Sequence, residues 1–580
     1  MSSDLQQHKR DFLGDPRLLK ISGIAIFIGA FGTLAAWLLL NLIRMFTNLF
    51  FFQTLSFAHR DLAENQLGLW VICLPIIGGL IVGLIARFGT EKIRGHGIPE
   101  AIEAILFGKS KMSAKVAILK PLSSGIVIGS GGPFGAEGPI IMTGGAIGSL
   151  VAQLFHLTAA ERKTLLVAGA TAGMTAVFGT PIAAILLAVE LLLFELRPRS
   201  LLPVIVACSV AGFTRPLLLD AGPLFPLHTE PFGFSALFSC LIAGVLGGAL
   251  SALMSTALYK VEDGFHRLPI HWMWWPALGG IVVGIGGYFE PRALGVGYDV
   301  IGDLLNHRIV LEVALGLLLA KSVMWVIALG SGTSGGVLAP LLIIGAGLGT
   351  VLAPWLPGGD ANLWPLVCMA AVLAGVLGAP LTAAVFAFGL THDANAMLPL
   401  ILTTGVAYGF TVLTMRRSIM TEKISRRGYH IYREYGVDPL ERQHVDEVMS
   451  NAVTAIPAQL TIAATLEQFF GDGQSYRSYP VVDDEQRLVG MIERNSFNGT
   501  ADHNSRLISL FDAQKTACAA LPTETCQVVA ARMAMEQLER LPVVNNLTDR
   551  RVIGIISRSD LIKPLKNFFD EEQKRERLIS

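Results

Sequence analysis

The chain has 580 residues, of which 52% are hydrophobic and only 16% are charged, with 45 basic and 45 acidic side chains. A soluble protein averages about 25% charged residues, so this composition excludes a chain that is soluble in water throughout. Zero net charge also argues against a nucleic-acid partner, because no excess of basic residues is present to neutralise phosphates.

Metal and disulfide sites are not predicted. The six cysteines are scattered, without the short spacings of a metal site and without an accompanying histidine pattern. We expect them to behave as small hydrophobic residues, and the sequence requires no cofactor.

Charged residues divide the chain into two parts. The last 150 residues contain 39 of them, whereas the first 430 contain 51. The last part has the charge density of a domain in water, and the first part that of a chain solvated mainly by lipid. At least two domains are therefore predicted.

The first membrane helix is predicted directly after a short basic segment. Residues 1–20 contain four lysines and arginines, and positive charge before a first span is typical of a cytoplasmic N-terminus. An apolar stretch long enough to cross about 30 Å of hydrocarbon follows at 21–42. Further stretches of this kind occupy 69–86, 201–219 and 232–258.

Other apolar stretches are interrupted by glycine and proline, and these interruptions repeat. Gly129-Ser130-Gly131 recurs as Gly330-Ser331-Gly332, and Pro139 recurs as Pro340, each 201 residues later. In lipid, a broken helix is tolerated only where its free backbone groups are buried in protein or line an aqueous cavity. Matching breaks in two halves, roughly 21–220 and 230–420, therefore predict a transport pathway. The alternative is that the glycines merely let helices pack closely.

Glu137 is the only ionisable residue between Lys120 and His156, within Gly135-Ala136-Glu137-Gly138-Pro139. An acid in a membrane segment is functional by default, because it is costly unless it faces a cavity or a partner. The free N–H groups of the helix that opens at Pro139 favour an anion, and a neighbouring carboxylate competes for that position until it is protonated. The alternative is that Glu137 simply caps its helix.

The second half has the same construction without the acid, in Gly336-Val337-Leu338-Ala339-Pro340. Two helix N-termini aimed at one point would hold a dehydrated anion without a full positive charge, weakly enough to release it. A third break, Gly95-His96-Gly97-Ile98-Pro99, presents another helix start.

The tail contains a shorter repeat of its own. Tyr479-Pro480-Val481-Val482 and Leu541-Pro542-Val543-Val544 are each followed by a polar turn and a second apolar run, so each unit is predicted to be a strand, a turn and a strand. This pattern resembles a tandem pair of cystathionine-β-synthase-type (CBS) domains, at 445–500 and 508–570. Residues 421–444 then form a linker, and 571–580 form a charged tail.

The three membrane motifs, in their order and followed by the CBS pair, resemble those of the CLC family of chloride channels and chloride/proton antiporters. The resemblance covers nearly the whole chain. It implies a mainly α-helical, polytopic membrane protein of two inverted repeats of broken, tilted helices at 21–420, together with a cytoplasmic α+β CBS pair. It also implies a homodimer in the cell inner membrane, with one pore per subunit and both termini cytoplasmic.

Carried onto this sequence, the resemblance makes Glu137 the gating and proton-accepting glutamate. It assigns the amides of Val337 and Leu338 to the central anion site, and Gly97 and Gly138 belong to the same predicted site.

Three positions of the predicted site differ from the family pattern. His96 stands where the family has serine, Met420 where it has tyrosine, and Leu338 where it has phenylalanine. The first two changes remove two hydroxyl donors, whereas Leu338 keeps its backbone amide. His96 either donates to the anion, with pH-dependent binding when protonated, or is a neutral side chain bound to a carbonyl. Met420 has no donor and is interpreted as a hydrophobic plug or spacer.

The proton route is less defined by the resemblance. Antiporters of the family often have an inner glutamate at the position of Leu191. Glu190 and Glu195 are the candidate proton relays, and Glu195 alternatively pairs with Arg197 and Arg199.

One adenine-nucleotide site is predicted in the tail. Gly554, Ser557 and Asp560 match the Gly-x-x-Ser/Thr-x-x-Asp pattern of family CBS nucleotide sites, in which the aspartate accepts from ribose hydroxyls. Glu493 breaks the pattern in the first repeat. The alternative is a tail that only supports the dimer.

The predicted function is transmembrane chloride transport by exchange with protons, gated by Glu137, and not an enzymatic one. A passive chloride channel gated by voltage or pH is the alternative, as is a transporter for nitrate, bicarbonate or fluoride. A divalent-cation transporter is disfavoured because it would need clustered carboxylates. An intramembrane enzyme is disfavoured because Ser130, Ser331 and His96 form no nucleophile and base arrangement.

Overall fold

The computed structural model describes residues 16–108, 110–427, 440, 443–471, 474, 476–497, 504–511 and 517–563. The chain divides into two compact units, Gly14–Glu434 and a second that joins Tyr435–Ser580 to Met1–Leu13. We call them the membrane unit and the tail unit. Most of the predicted segments 1–20 and 421–444 lies outside the described residues, as does all of 571–580.

The first half of the membrane unit is a series of helices separated by short breaks. A π-helical turn, Ala188–Leu193, continues its seventh helix. The helices are α1 (Arg17–Phe52), α2 (Cys73–Phe88), α3 (Ile98–Leu106), α4 (Ala114–Gly129), α5 (Glu137–Gln153), α6 (Ala159–Phe178), α7 (Pro181–Leu187) and α8 (Pro198–Leu218).

The second half repeats this order. Its helices are α9 (Ala236–His266), α10 (Trp275–Phe289), α11 (Tyr298–Leu305), α12 (Leu311–Gly330), α13 (Leu338–Leu352), α14 (Leu363–Leu377), α15 (Pro380–Thr391), α16 (Met397–Thr414) and α17 (Ile419–Arg426). Equivalent helices start at equivalent positions, as Pro181 and Pro380 show. The repeat predicted from glycine and proline is therefore confirmed, with α17 as an addition to the second half.

Some glycines serve close helix packing, as the packing alternative predicted. A Cβ at Gly148 of α5 would clash with Leu165 O of α6, and a Cβ at Gly349 of α13 would clash with Trp364 O of α14. These two contacts occupy equivalent places in the two halves. The glycines that precede the helix starts have a different role, which the site geometry explains.

Several helices of the membrane unit are suited to a bilayer. Among the described residues, seven helical segments are long and apolar enough to cross one, and each predicted span overlaps one of them. Large apolar side chains such as Phe27, Phe213 and Leu413 are exposed on these helices. Apolar exposure of this extent is typical of surfaces covered by lipid or protein. The seven segments are Arg17–Phe52, Gly68–Phe88, Pro198–Leu218, Ala236–His266, Leu311–Gly330, Leu338–Trp355 and Met397–Arg426.

The tail unit contains two small sheets with the same hairpin. In each, two strands pair antiparallel and the register shifts at the second of two valines, between Val481 and Val482 and between Val543 and Val544. The predicted tandem repeat of the tail is confirmed. The strands are β1 (Ile456–Pro457), β2 (Ser478–Val482) and β3 (Leu488–Glu493) in one sheet, and β4 (Arg540–Val544) and β5 (Val552–Ser557) in the other. The helices are α18 (Val445–Val448), α19 (Ile462–Phe469) and α20 (Cys526–Met535).

Candidate functional site

The breaks before α5 and α13 contact each other directly. Gly336 N donates to Gly135 O at 3.0 Å, and the two glycines form an antiparallel bridge between the halves. A Cβ at Gly336 would lie 2.5 Å from both Gly135 O and the Glu137 carboxylate. This close approach explains why glycine is clustered before each of these helix starts.

Glu137 is the first residue of α5 and is fully buried. Its Oε1 accepts a hydrogen bond at 3.1 Å from the backbone N–H of Ala339, in the first turn of α13. Its Oε2 has no hydrogen-bond partner among the described residues. The carboxylate of one half therefore occupies the helix start of the other half, where free N–H groups and the helix dipole favour negative charge.

The amide that binds this carboxylate lies next to the two amides that were predicted for the central anion site. Val337 and Leu338, whose amides were expected to form the site, are buried at the start of α13. The observed donor is the next amide, that of Ala339. The role of the Val337 and Leu338 amides toward a transported anion stays a prediction.

The start of α3 packs against the start of α5. Gly97 has a φ of +91°, which favours glycine, and a Cβ there would lie 2.8 Å from Gly138 O. A Cβ at Gly138 would clash with His96 O. The structure thus brings His96, Gly97 and Gly138 together beside Glu137. His96 is only 3% exposed, and its Nδ1 has no hydrogen-bond partner among the described residues, so no carbonyl satisfies that nitrogen.

Met420 is fully buried in α17, which is fixed against two other helices. Lys423 Nζ forms an ion pair with Glu100 Oε1 of α3 at 2.6 Å. Tyr259 Oη of α9 donates to Ile419 O at 2.5 Å. The ion pair holds α17, which carries Met420, beside α3, which begins just after His96 and Gly97. The Tyr259 bond holds α17 against α9.

A fourth helix start, before α11, was not predicted. Gly295-Val296-Gly297 stands 200 residues after Gly95-His96-Gly97, and this offset is the signal that would have found it. The two turns make equivalent contacts with the opposite half: Gly95 N donates to Thr333 O at 2.8 Å, and Gly295 N donates to Gly131 O at 3.1 Å. The site is therefore bordered by two pairs of helix starts related by the repeat.

Two buried lysines support these turns. Lys120 Nζ donates to Gly95 O at 2.8 Å and to a second backbone carbonyl in the same turn. Lys321 Nζ makes the equivalent pair of bonds, with Gly295 O at 2.8 Å. Both side chains are fully buried. In the sequence, Lys120 only marks the limit of an uncharged stretch, and the 201-residue spacing of the two lysines is the signal for their shared role.

The two candidate proton relays lie in different surroundings. Glu190, in the π-helical turn, accepts at Oε2 from Thr382 N at 2.8 Å and from Thr382 Oγ1 at 2.6 Å, at the start of α15. Glu195 lies 3.6 Å from both Lys163 Nζ and Arg197 Nε, which agrees with the ion-pair alternative. Among the described residues, no hydrogen bond or ion pair joins either acid to Glu137.

Ser557 and Asp560 lie together at a cavity of about 170 Å³ in the tail unit, between the two repeats. Asp560 Oδ2 accepts from Ser557 Oγ at 2.6 Å, and Asp560 Oδ1 pairs with Lys563 Nζ at 2.6 Å. Burial would raise the pKa of the Asp560 carboxyl, but the hydrogen bonds from Lys563 and Ser557 outweigh it and hold that pKa below its usual value. Arg540, Tyr479 and Thr454 also line the cavity.

A protein-family model described as voltage gated chloride channel matches residues 77–412. The chain belongs to the CLC family. A second model, for the CBS domain, matches residues 445–497 and 519–567. The CLC match covers all four helix starts described above, and the CBS matches cover both hairpins of the tail unit.

Curated relatives and solved structures agree with this membership. The chain is 31% identical to the voltage-gated ClC-type chloride channel ClcB of Citrobacter koseri, over 60% of this chain and 85% of the relative. Its fold is similar to the crystal structure of a slow cyanobacterial Cl-/H+ antiporter, with a TM-score of 0.62 at 22% identity over 71% of this chain and 98% of that one. A eukaryotic CLC transporter has a TM-score of 0.57 at 18% identity and covers 94% of this chain and 98% of that one. The chain therefore has the CLC fold and is a membrane protein with many apolar helices.

Proposed function

We propose that this protein exchanges chloride for protons across the membrane and that Glu137 is its gate. The observation that carries the proposal is the hydrogen bond from Ala339 N to Glu137 Oε1. The carboxylate occupies the helix start of the opposite half as a tethered anion. A transported anion and a protonated, neutral Glu137 are then mutually favourable, because protonation frees the N–H groups that the anion needs.

The anion-binding residues of this proposal surround that helix start. The backbone at Gly97, Gly138, Val337 and Leu338 lines it, with the amide of Ala339 as an added donor. Met420 closes it as an apolar residue. His96 supplies a ring nitrogen where the family has a hydroxyl, and its buried, unpartnered Nδ1 supports a role toward the anion.

The proton route proposed here uses Glu190 rather than Glu195. The π-helical turn that carries Glu190 packs against α3, the helix that begins beside His96. Glu195 is already neutralised by two cations at a part-exposed position. A part-buried acid held by hydroxyl and amide donors is the better candidate to exchange protons with an interior path.

Flux measurements on the full-length protein in liposomes test the proposal. An outward chloride gradient is expected to drive protons uphill in the wild-type protein. Glu137→Ala is expected to abolish proton movement and to keep chloride flux, whereas Glu312→Ala, an exposed acid of α12, is expected to keep both. Chloride flux without any proton movement in the wild-type protein would favour the passive channel, gated by voltage or pH. Replacement of chloride by nitrate, bicarbonate or fluoride identifies the preferred anion.

The tail is proposed to bind an adenine nucleotide as a regulator. The cavity contains the carboxylate and hydroxyl suited to a ribose, and Arg540 supplies a cation for phosphate. Titration of ATP, ADP and AMP against the full-length protein, with and without Asp560→Ala, tests this site. Equal binding by the two proteins would leave the supporting role as the function of the tail.

Assembly and location follow the family. We propose a homodimer in the cell inner membrane with both termini cytoplasmic, and a transporter rather than an enzyme. Exposed apolar side chains on α8, α15 and α16, such as Phe213, Leu381 and Leu413, are suited to a partner copy or to lipid. Chloride and protons are the proposed substrates, and no cofactor is required.

A further inference from the structure

Tyr298 is the first residue of α11, at the fourth helix start. Its repeat equivalent in the first half is Ile98, so the second half carries a hydroxyl where the first half has none. The preceding Gly297 packs on α13, since a Cβ there would lie 2.7 Å from Ile343 Cδ1. The start of α11, which carries Tyr298, therefore packs against α13, and the first turn of α13 binds the Glu137 carboxylate.

The ring of Tyr298 belongs to a buried aromatic cluster. Its centroid lies 6.2 Å from that of Phe178 and 6.3 Å from that of Phe225, and Phe178 packs edge-on against Phe386 at 4.9 Å. The three phenylalanines are buried and offer no hydrogen-bond acceptor. The hydroxyl is the polar part of this cluster, and apolar packing alone would be satisfied by a phenylalanine.

The hydroxyl and the carboxylate are each incompletely bonded. Tyr298 Oη is buried and has no hydrogen-bond partner among the described residues, and the same is true of Glu137 Oε2. Glu137 lies within electrostatic range of both the Tyr298 phenol and the Lys321 ammonium. A buried donor without a partner is unfavourable, and a nearby carboxylate is the acceptor that would satisfy it.

We infer that Tyr298 is a positioning residue for Glu137. Its hydroxyl donates a hydrogen bond to the carboxylate after that carboxylate leaves the amide of Ala339 and yields the helix start to an anion. Lys321 fixes the turn that carries Tyr298 and adds a positive charge on the same side. This inference rests on the proposed function and adds a second position in which the Glu137 carboxylate is hydrogen-bonded.

The inference has a thermodynamic consequence that can be measured. An anion binds at the start of α13 only in the fraction of molecules whose carboxylate has moved away, so apparent affinity is reduced by that fraction. Without the hydroxyl, the displaced carboxylate is less stable and this fraction falls. Tyr298→Phe is therefore expected to weaken chloride binding by about tenfold or more, as the loss of one hydrogen bond to a charged group implies.

A double-mutant cycle tests this on the purified full-length protein, with chloride affinity measured by titration calorimetry. Tyr298→Phe should weaken chloride binding in the wild-type background and have no effect in a Glu137→Ala background. Tyr288→Phe, which removes a part-exposed hydroxyl from α10, is the control and should have no effect in either. Unchanged affinity in Tyr298→Phe would overturn the inference. An equal loss in the Glu137→Ala background would also overturn it, because the hydroxyl would then act on the anion directly.

Together with the flux measurement in liposomes, this experiment distinguishes the role of Tyr298 from the proposed function. If Glu137→Ala fails to uncouple protons from chloride in liposomes, the proposed function fails, and with it the role of Tyr298. If Glu137→Ala uncouples as expected and Tyr298→Phe is silent, only the role of Tyr298 is overturned.

Discussion

Lys120 and Lys321 perform the same task in the two halves of the membrane unit. Each is fully buried and donates to two backbone carbonyls of the turn that precedes a helix start, at Gly95 in one half and Gly295 in the other. A buried charge is tolerated only when it is well bonded. Each ammonium therefore stabilises its turn and, with it, the position of the helix start that borders the site.

Lys321→Met is expected to destabilise the membrane unit, because it leaves two buried carbonyls without a donor. The expected loss is about 2 kcal/mol of unfolding free energy. The midpoint of thermal unfolding in detergent measures it, with the exposed Lys260→Met as the control. An unchanged midpoint would show that the carbonyls find other donors and that the lysine is not structural.

Gly336→Ala is expected to displace the Glu137 carboxylate from α13. The added Cβ would lie 2.5 Å from both Glu137 Oε2 and Gly135 O, so either the carboxylate or the backbone contact must move. We expect transport in liposomes to fall by about tenfold or more, or about 1.4 kcal/mol. Gly409→Ala in α16 is the matched control, because nothing lies within 4 Å of its Cβ position. Normal transport by Gly336→Ala would contradict the crowding argument.

His96→Ser is expected to strengthen chloride binding. It places a hydroxyl donor beside Gly97, at a position where the present Nδ1 has no partner among the described residues. A hydrogen bond to a charged group contributes about 1.5 kcal/mol, which corresponds to about tenfold in affinity. Titration calorimetry measures the change, with the exposed His156→Ser as the control. Weaker binding would mean that the ring nitrogen of His96 binds the anion more strongly than a hydroxyl does.

Glu190→Gln is expected to lower proton flux more than chloride flux. Glutamine retains an acceptor for Thr382 but does not carry a proton, so the start of α15 should persist while the relay fails. Glu195→Gln should leave the ratio of the two fluxes unchanged, because Glu195 already pairs with Lys163 and Arg197. The reverse result would move the relay to Glu195.

Asp560→Asn is expected to loosen the end of the second CBS repeat. The carboxyl of Asp560 has a lowered pKa in the folded chain, so its stabilising contribution is present above its unfolded pKa of about 3.9 and is lost as pH falls through the folded value. Hydrogen exchange of 552–563, corrected for intrinsic pH effects, should therefore be faster in Asp560→Asn at both pH 7 and pH 5. Exposed Asp484→Asn is the control. Equal exchange rates at both pH values would contradict this role.

The sequence predicted the repeat because backbone breaks in lipid require glycine and proline, and those residues recur at a fixed offset. It predicted Glu137 for a related reason, since a single acid in an uncharged stretch has few tolerable explanations. The hairpins of the tail were visible because their valines and turns occur twice in register.

Other parts of the site depend on tertiary contacts that no local pattern reports. The hydrogen bond from Ala339 N to Glu137 Oε1 depends on where α13 begins and how far the Glu137 side chain reaches. Nothing in the sequence distinguishes Tyr298 from the other tyrosines. Only the fold brings it within electrostatic range of the Glu137 carboxylate. Helix starts that come from opposite halves are separated by about 200 residues.

The halves touch at Gly135 and Gly336 through main-chain atoms alone. Under the proposed function, we therefore expect that substitutions at His96, Leu338 or Met420 change selectivity and proton coupling one side chain at a time, while the backbone that presents the amides stays in register. An engineer seeking a different halide or oxyanion preference therefore has a short set of positions to vary, and two that should be left untouched.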